Sequence, residues 1–477
     1  MSHSYDLIVI GAGMAGVAAA NKCAAQGWDV AIVGSLPYGG TCALRGCDPK
    51  KILRRGAEII DSARLMSGKG IDSGGLSINW PDLMKHKHGF TDPVPQSMEN
   101  NLARNGVATL HGHVSFTGDR QIEVGGTSYD ADRFLIATGA RPRPLDFPGH
   151  EHLIDSTDFL DLDGLPQRIL FVGGGFISFE FAHIAARAGA SAVIVDRGKR
   201  PLKNFDPDLV ELLVDRGSEV GVDLRRSTTI AAVERTDQGY RVTLDRAGAR
   251  ETIETDLVVH GAGRVADLAD LGLEVAGISW GERGVRVAGH LQSTKNPAVW
   301  AAGDSADTSG MPLTPVAVSE AKVAASNMIK GTTTVPDYSG ISTAVFTIPE
   351  LTRVGNLRSP RARHRRGRPL LRHQRLVLQL PHRGNHGSSE DPHRRVNRPD
   401  RRSPPTGTRV RRTGQHLRSG HQARPHHPPA EIRDCRLPHR RVRPGLHALI
   451  RDDDWECATA PCATRSAGGA EGLSRYR

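Results

Sequence analysis

Long apolar runs are missing from this chain. None approaches the ~20 residues that cross a bilayer, and no basic-then-apolar leader stands ahead of the first strand-like stretch. The expectation is a cytoplasmic protein with no membrane partner. Cysteine is sparse, six in 477 residues, which excludes a disulfide-stapled secreted scaffold. Lysine disappears after Gly355: residues 356–477 hold 28 Arg and no Lys against 10 acidic side chains, a net of +18. The total is +11, so the first 355 residues carry −7, an ordinary mildly acidic body. Phenylalanine stops at the same point, and the only later aromatics are Trp455 and Tyr476. Neither helical nor strand periodicity survives there, so the tail has no means of building a core. The full length of 477 residues suits about three domains at ~150 residues each.

What the body does contain is glycine in two patterned clusters. The apolar stretch Tyr5 to Ile10 runs into Gly11-Ala-Gly13-Met-Ala-Gly16, then an alanine-rich helix to about Gln26, then a second strand, Asp29 to Val33. Strand, glycine turn, helix and strand in one short unit form a dinucleotide cradle. Gly11 makes the turn, Gly13 admits a pyrophosphate to the backbone, Gly16 lets the helix lie on the strand, and the helix N-terminus faces the phosphates. The acid that usually holds the adenosine ribose is absent: its position is Gly34, with Ser35 beside it. Cys23 on the helix reads as a small buried apolar residue. A second unit begins at Ile169 to Val172, continues through Gly173-Gly-Gly175-Phe-Ile-Ser178-Phe-Glu180 and a helix to about Ala188, and ends with strand Ser191 to Val195. Ser178 takes the place of the third glycine. The fold class is therefore α/β with two Rossmann-like dinucleotide-binding domains. Between the units lie helices (Ile52 to Met66, and Trp80 to Asn105 with gaps), a short antiparallel segment from Ala108 to Tyr129, and a buried strand, Phe134 to Ala140.

Two cysteines with four residues between them, Cys42 and Cys47, sit in Gly39-Gly-Thr-Cys-Ala-Leu-Arg-Gly-Cys-Asp-Pro-Lys-Lys51. On a regular helix a five-residue step turns about 500°, which leaves the two side chains roughly 140° apart. They can bond to each other only if the first turn is irregular. Gly39, Gly40 and Gly46 allow that, and Pro49 suits an early helical position. A disulfide closed over so short a loop is labile, which suits a reagent better than a staple. Arg45, Lys50, Lys51 and a helix N-terminus all favour thiolate over thiol.

The segment resembles the redox-active disulfide of the pyridine nucleotide-disulfide oxidoreductases. Other stretches match the same family in order. Phe134 to Ala140 is similar to the Ala-Thr138-Gly139 signature that closes the first half of a flavin domain. Leu257 to Gly263 with Arg264 is similar to the return strand into it. Ala298 to Asp304 is similar to the second flavin motif, and Leu313 to Ala317 opens a helix near the flavin ring. The resemblance implies FAD in the first cradle (Gly11, Gly13, Gly16, Gly40, Thr41, Lys51, Thr138, Gly139, Gly263, Asp304, Thr314, Ala317) and a nicotinamide nucleotide in the second (Gly173, Gly175, Arg197, Lys203). It implies that Cys47 faces the flavin, that Cys42 attacks the substrate disulfide, and that Lys50 pairs with Glu180 near the flavin N5. Phe176 stands where glutathione reductase-like members carry a gating Tyr. Asp196 stands where NAD-binding members hold the ribose, whereas Arg197 and Lys203 fall where NADPH-binding members place cations. NADPH is preferred here over NADH, on the condition that Asp196 points away. Cys-Asp-Pro-Lys is closer to the glutathione reductase pattern, so a low-molecular-weight disulfide is the expected substrate, with mercuric reductase and dihydrolipoamide dehydrogenase activities as alternatives. No metal and no nucleic acid are expected.

The implied layout is residues 1–148 for the first part of the FAD domain, 149–264 for the NAD(P) domain, 265–340 for the second part of the FAD domain, and 341–355 for the start of an α+β dimerisation domain. The Arg-, Pro- and His-rich segment 356–477 then stands where the rest of that domain belongs. It reads as a basic nucleic-acid tail, a disordered extension, or the product of a shifted reading frame, and the last is favoured. Synonymous codons exist for Leu376 to His386 whose adjacent frame spells an aromatic, strand-like sequence. The family is homodimeric and its partner subunit supplies an acid–base His oriented by a Glu. His426, His427 and Glu431 only superficially resemble that motif, and Cys457 and Cys462 lack any glycine context, so the tail is assigned no site. The dimer interface is then lost, and a flavoprotein limited to diaphorase activity is the other reading.

Overall fold

The computed structural model describes residues 3–355 and the two-residue strand Val377–Leu378. The expectations placed on the rest of 356–477 lie outside the described residues.

Leu7, Ile8, Val9 and Ile10 are all buried, the mark of a parallel strand covered on both faces. Their strand, His3–Ile10, lies at the centre of a sheet whose order runs Val107–His111, Val30–Gly34, His3–Ile10, Thr127–Ile136, with Val299–Ala301 also beside Thr127–Ile136. These pairings are all parallel. Gln121–Val124 and Val114–Gly118 extend the sheet by antiparallel pairing. Val107–His111 therefore departs from the expected antiparallel segment: period-2 patterning identifies a strand but not its direction, and a non-local partner, Val30–Gly34, sets it parallel.

Two helices lie on one face. Met14–Ala24 packs against Thr314–Lys330 through Ala19, Ala20, Ala321, Ala324 and Ala325, which are all fully buried. Small side chains let the helix axes come close.

The second sheet is wholly parallel, in the order Val222–Arg226, Ser191–Asp196, Arg168–Val172, Leu257–His260. An antiparallel three-stranded sheet, Thr229–Thr236, Gly239–Arg246 and Ala249–Thr255, adjoins it. Arg264–Ala266 then pairs with Ala140–Pro142.

The helix Cys47–Leu65 joins the two sheets. Its Leu53 and Ala57 are buried with Phe179, Phe181, Ala182 and Ile184 of the helix Phe176–Arg187. Each such large side chain contributes about 1.5–3 kcal/mol of burial. At the far end of the same helix, Asp61 is buried and accepts from Arg187 Nε at 3.0 Å and Arg216 at 2.7 Å. Arg187 also donates to the Ile348 carbonyl at 2.7 Å, which ties in the hairpin Ser342–Val345 and Leu351–Val354. Fully buried His183 next to it is held neutral, its pKa pushed down to about 3, chiefly by burial.

Candidate active site

Gly40 (φ 64°) and Gly46 bracket a wide irregular turn, Thr41–Arg45, and the regular helix starts at Cys47. That irregularity brings the two sulfurs together. Both cysteines are free thiols, and each shifts the ionisation of the other. Cys47 Sγ also lies 3.9 Å from Thr314 Oγ1 at the head of the Thr314–Lys330 helix. The hydrogen bond from Cys42 pulls the Cys47 pKa down to about 6, with Lys50, Thr314 and Lys51 acting in the same direction against burial. Cys42 moves the other way: donating to Cys47, together with burial, pushes its thiol well up. Arg45 lines the same cavity as the two cysteines.

Three residues along the helix, Lys50 Nζ meets Glu180 Oε2 at 2.7 Å, with both side chains at or below 9% exposure. The other carboxylate oxygen, Oε1, accepts the Phe346 backbone N–H at 2.7 Å, and the Phe346 ring lies 4.8 Å from the Lys50 ammonium. Glu180 is thus held from the hairpin side as well as from the cysteine helix.

One cavity of about 520 Å³ collects these groups. Gly11, Gly13, Gly40, Thr41, Cys42, Cys47, Lys50, Thr138, Gly139, Glu180, Asp304, Thr314 and Ala317 line it. Gly16, Lys51, Gly173, Gly175, Arg197, Lys203 and Gly263 do not line it. Gly16 instead packs the first helix on its strand, where a Cβ would fall 1.9 Å from the Gly11 carbonyl oxygen. Phe176, nearly half exposed, stands at the cavity on the side of the second glycine turn. In that turn, fully buried Ser178 sits against Gly261, where a Cβ would fall 2.1 Å from Ser178 Oγ. The serine fits because its neighbour has no side chain. Arg197 and Lys203 are both exposed. Asp196 does not point away: its Oδ1 accepts from the Gly198 N–H at 3.0 Å, and its Oδ2 would lie 2.2 Å from a Cβ on Gly174.

Three further residues shape the site. Arg264 lines the cavity and opposes Asp304, whose carboxyl is raised mainly by burial. The buried Glu320 accepts from Gly303 N at 2.7 Å, Thr308 Oγ1 at 2.8 Å and Tyr338 OH at 2.6 Å. It therefore fixes the backbone immediately before Asp304. The Phe346 amide is the third, and no sequence pattern marks a backbone donor. Glu320 did carry a signal: it falls on the helical stripe of Ala324, Asn327 and Met328, all buried.

The family model for the pyridine nucleotide-disulphide oxidoreductases matches residues 5–321. A glutathione reductase of Burkholderia cepacia is 34% identical over 353 residues, 74% of this chain and 78% of that protein. A glutathione reductase of a Nostoc strain is 30% identical, covering 74% and 79%. A dihydrolipoyl dehydrogenase of Bacillus subtilis is 31% identical, covering 73% and 77%. The cavity suits the flavin such an enzyme uses. Gly11, at φ 113°, and Gly40 and Gly13, so close that a Cβ on Gly40 would fall 2.6 Å from the Gly13 Cα, leave bare backbone along one wall. The buried Thr138 Oγ1 beside them has no partner within the described residues. No helix among the described residues is long and apolar enough to cross a membrane. The chain works with FAD and a pyridine nucleotide on a sulfur group, and it belongs to the pyridine nucleotide-disulphide oxidoreductase family.

Proposed function

We propose that the protein is a flavin-dependent NAD(P)H:disulfide oxidoreductase that reduces a low-molecular-weight disulfide of the glutathione type through Cys42 and Cys47. One observation carries the reading: two free thiols, Cys42 and Cys47, share a cavity with the first glycine turn and the Lys50–Glu180 pair. Residues 1–148 and 265–340 hold FAD, 149–264 hold the pyridine nucleotide, and 341–355 open a third domain. Bound flavin supplies the two-electron link between nicotinamide and dithiol. Gly11, Gly13, Gly40, Thr138 and Asp304 hold it along the wall of bare backbone.

Cys47 keeps the negative charge of the reduced pair beside Lys50, where a paired buried cation is steady against changes of charge nearby. Cys42, the more basic sulfur, passes its proton to Cys47 and attacks one sulfur of the substrate disulfide. The substrate S–S bond breaks, a mixed disulfide forms on Cys42, and the first product leaves as a thiolate that takes the proton back from Cys47. The Cys47 thiolate then attacks the Cys42 sulfur, closes the Cys42–Cys47 bond and expels the second product as a thiolate, which takes a proton from water. Both nicotinamides are accepted. Arg197 and Lys203 suit a 2′-phosphate, whereas the Asp196 carboxylate, facing the glycine turn, repels one and suits a ribose hydroxyl.

The dihydrolipoyl dehydrogenase relative makes lipoamide the competing substrate. The decisive assay measures thiol appearance from glutathione disulfide and from lipoamide, with NADPH and NADH in turn, on the full chain and its Cys42→Ser and Cys47→Ser variants. Light scattering in the same run reports whether the chain is a monomer, as loss of the dimer interface requires. Flavin-linked dye reduction with no thiol release from any disulfide overturns the reading and leaves a diaphorase.

A further inference from the structure

Cradles built as strand, glycine turn, helix and strand ordinarily place a carboxylate at the end of the second strand, where it accepts a hydrogen bond from the adenosine ribose 2′-hydroxyl. In this chain that strand, Val30–Gly34, ends on a glycine. The packing shows why. A Cβ on Gly34 would meet the Leu36 carbonyl oxygen at 3.1 Å, the Ala12 Cβ at 3.2 Å and the Tyr38 Cε2 at 3.2 Å. None of these is the loose end of a flexible side chain. Tyr38 is fully buried, its hydroxyl lies 2.9 Å from each of the Ile32 and Leu110 carbonyl oxygens, and its ring lies 5.1 Å from that of His111. The tyrosine ring occupies the space into which a side chain at position 34 would grow.

At the two strand ends beside Gly34 the cavity wall is neutral or apolar, Ser35, Leu36 and Pro37 on one and His113 and Val114 on the other. The carboxylates that line the cavity on this side, Asp267 and Asp270, belong to a separate segment, the one that leads into Leu271. Ser35 is exposed, so its hydroxyl exchanges one neutral partner for water at little net gain. Glu99, which reaches this end through its contact with His111 at 3.3 Å, does not line the cavity.

We propose that Gly34 and Tyr38 together form an acid-free ribose subsite, so that the adenine dinucleotide in the first cradle is bound without recognition of its ribose 2′-hydroxyl. This rests on the reading of that cradle as the FAD site. Recognition then falls on the pyrophosphate, against the bare backbone of Gly11, Gly13 and Gly40, and on the flavin end, at Thr138 and Asp304.

The test is equilibrium dialysis of the full chain against an equimolar mixture of FAD and its 2′-deoxyadenosine analogue, with chromatography of the protein-bound flavins. A carboxylate–hydroxyl bond would favour FAD on the order of tenfold or more. The expected bound ratio lies below about fivefold, half that margin. A larger preference for FAD overturns the proposal while leaving the FAD site in place. If the protein retains neither flavin, the FAD assignment of the cradle fails and the subsite proposal falls with it.

Discussion

The two thiols should separate sharply in a pH titration of the reduced protein. Cys47 sits at about 6, held there first by the hydrogen bond from Cys42 and then by Lys50, Thr314 and Lys51; an ordinary cysteine titrates near ~8.5. At pH 7 a thiol of pKa about 6 is ~90% thiolate, against a few per cent for a free one. Because the groups are coupled, the value belongs to the first proton leaving the pair. Ultraviolet absorbance of the thiolate should therefore rise with a midpoint near pH 6 in the reduced wild type. Cys42→Ala removes the largest cause and should move the midpoint up by about one unit or more, a difference of ~1.4 kcal/mol per unit. Cys47→Ser should abolish the low step and leave Cys42 titrating at high pH. The sign for stability is that of a depressed pKa. The thiolate's contribution is complete above the ordinary thiol value near ~8.5, shrinks as pH falls, and is gone below about 6. A first midpoint at about 8 or above, close to an ordinary thiol, or a low step that survives Cys47→Ser, refutes the assignment of the charge to Cys47.

Three other outcomes are expected. Glu180→Gln leaves the Lys50 ammonium buried without its carboxylate and should cost about 3–5 kcal/mol in urea unfolding; the double variant with Lys50→Met should recover most of that, and no recovery refutes direct pairing. Glu320→Ala strips the acceptor from Gly303 N, Thr308 Oγ1 and Tyr338 OH, with ~1–3 kcal/mol for each donor left dry. It should also speed flavin loss measured by ultrafiltration, and unchanged retention means that the Gly303–Asp304 backbone holds without it. Asp196→Asn removes the charge facing the glycine turn and should raise the NADPH to NADH ratio of kcat/KM about tenfold, as one charge-assisted contact is worth on the order of 1.5 kcal/mol; a fall in that ratio shows that Asp196 does not repel the phosphate.

Local chemistry was legible in the chain, and distant chemistry was not. Gly11, Gly13 and Gly16 announce their turn because the cradle is made by residues adjacent in sequence, and both strand-to-helix units formed where the glycines stand. The irregular turn between Cys42 and Cys47 is required by helix geometry alone. The Lys50–Glu180 contact joins residues 130 apart, and only a resemblance could pair them. Arg187 reads as a helix-end cation yet is buried on Asp61, since nothing local distinguishes a solvated arginine from one committed to a partner 126 residues away. Val107–His111 carries strand chemistry without a direction, because the partner that orients it lies far off in the chain.

Asp61 gives the cysteine helix a consequence of its own. One end of that rod carries the reactive sulfur, the first turn carries Lys50, and the last turns are bolted by a single carboxylate to two arginines rooted beside the second sheet. Sulfur, ammonium and anchor share one rigid strut, so the reach between donor and acceptor is set when the chain folds and does not have to be found again at each turnover.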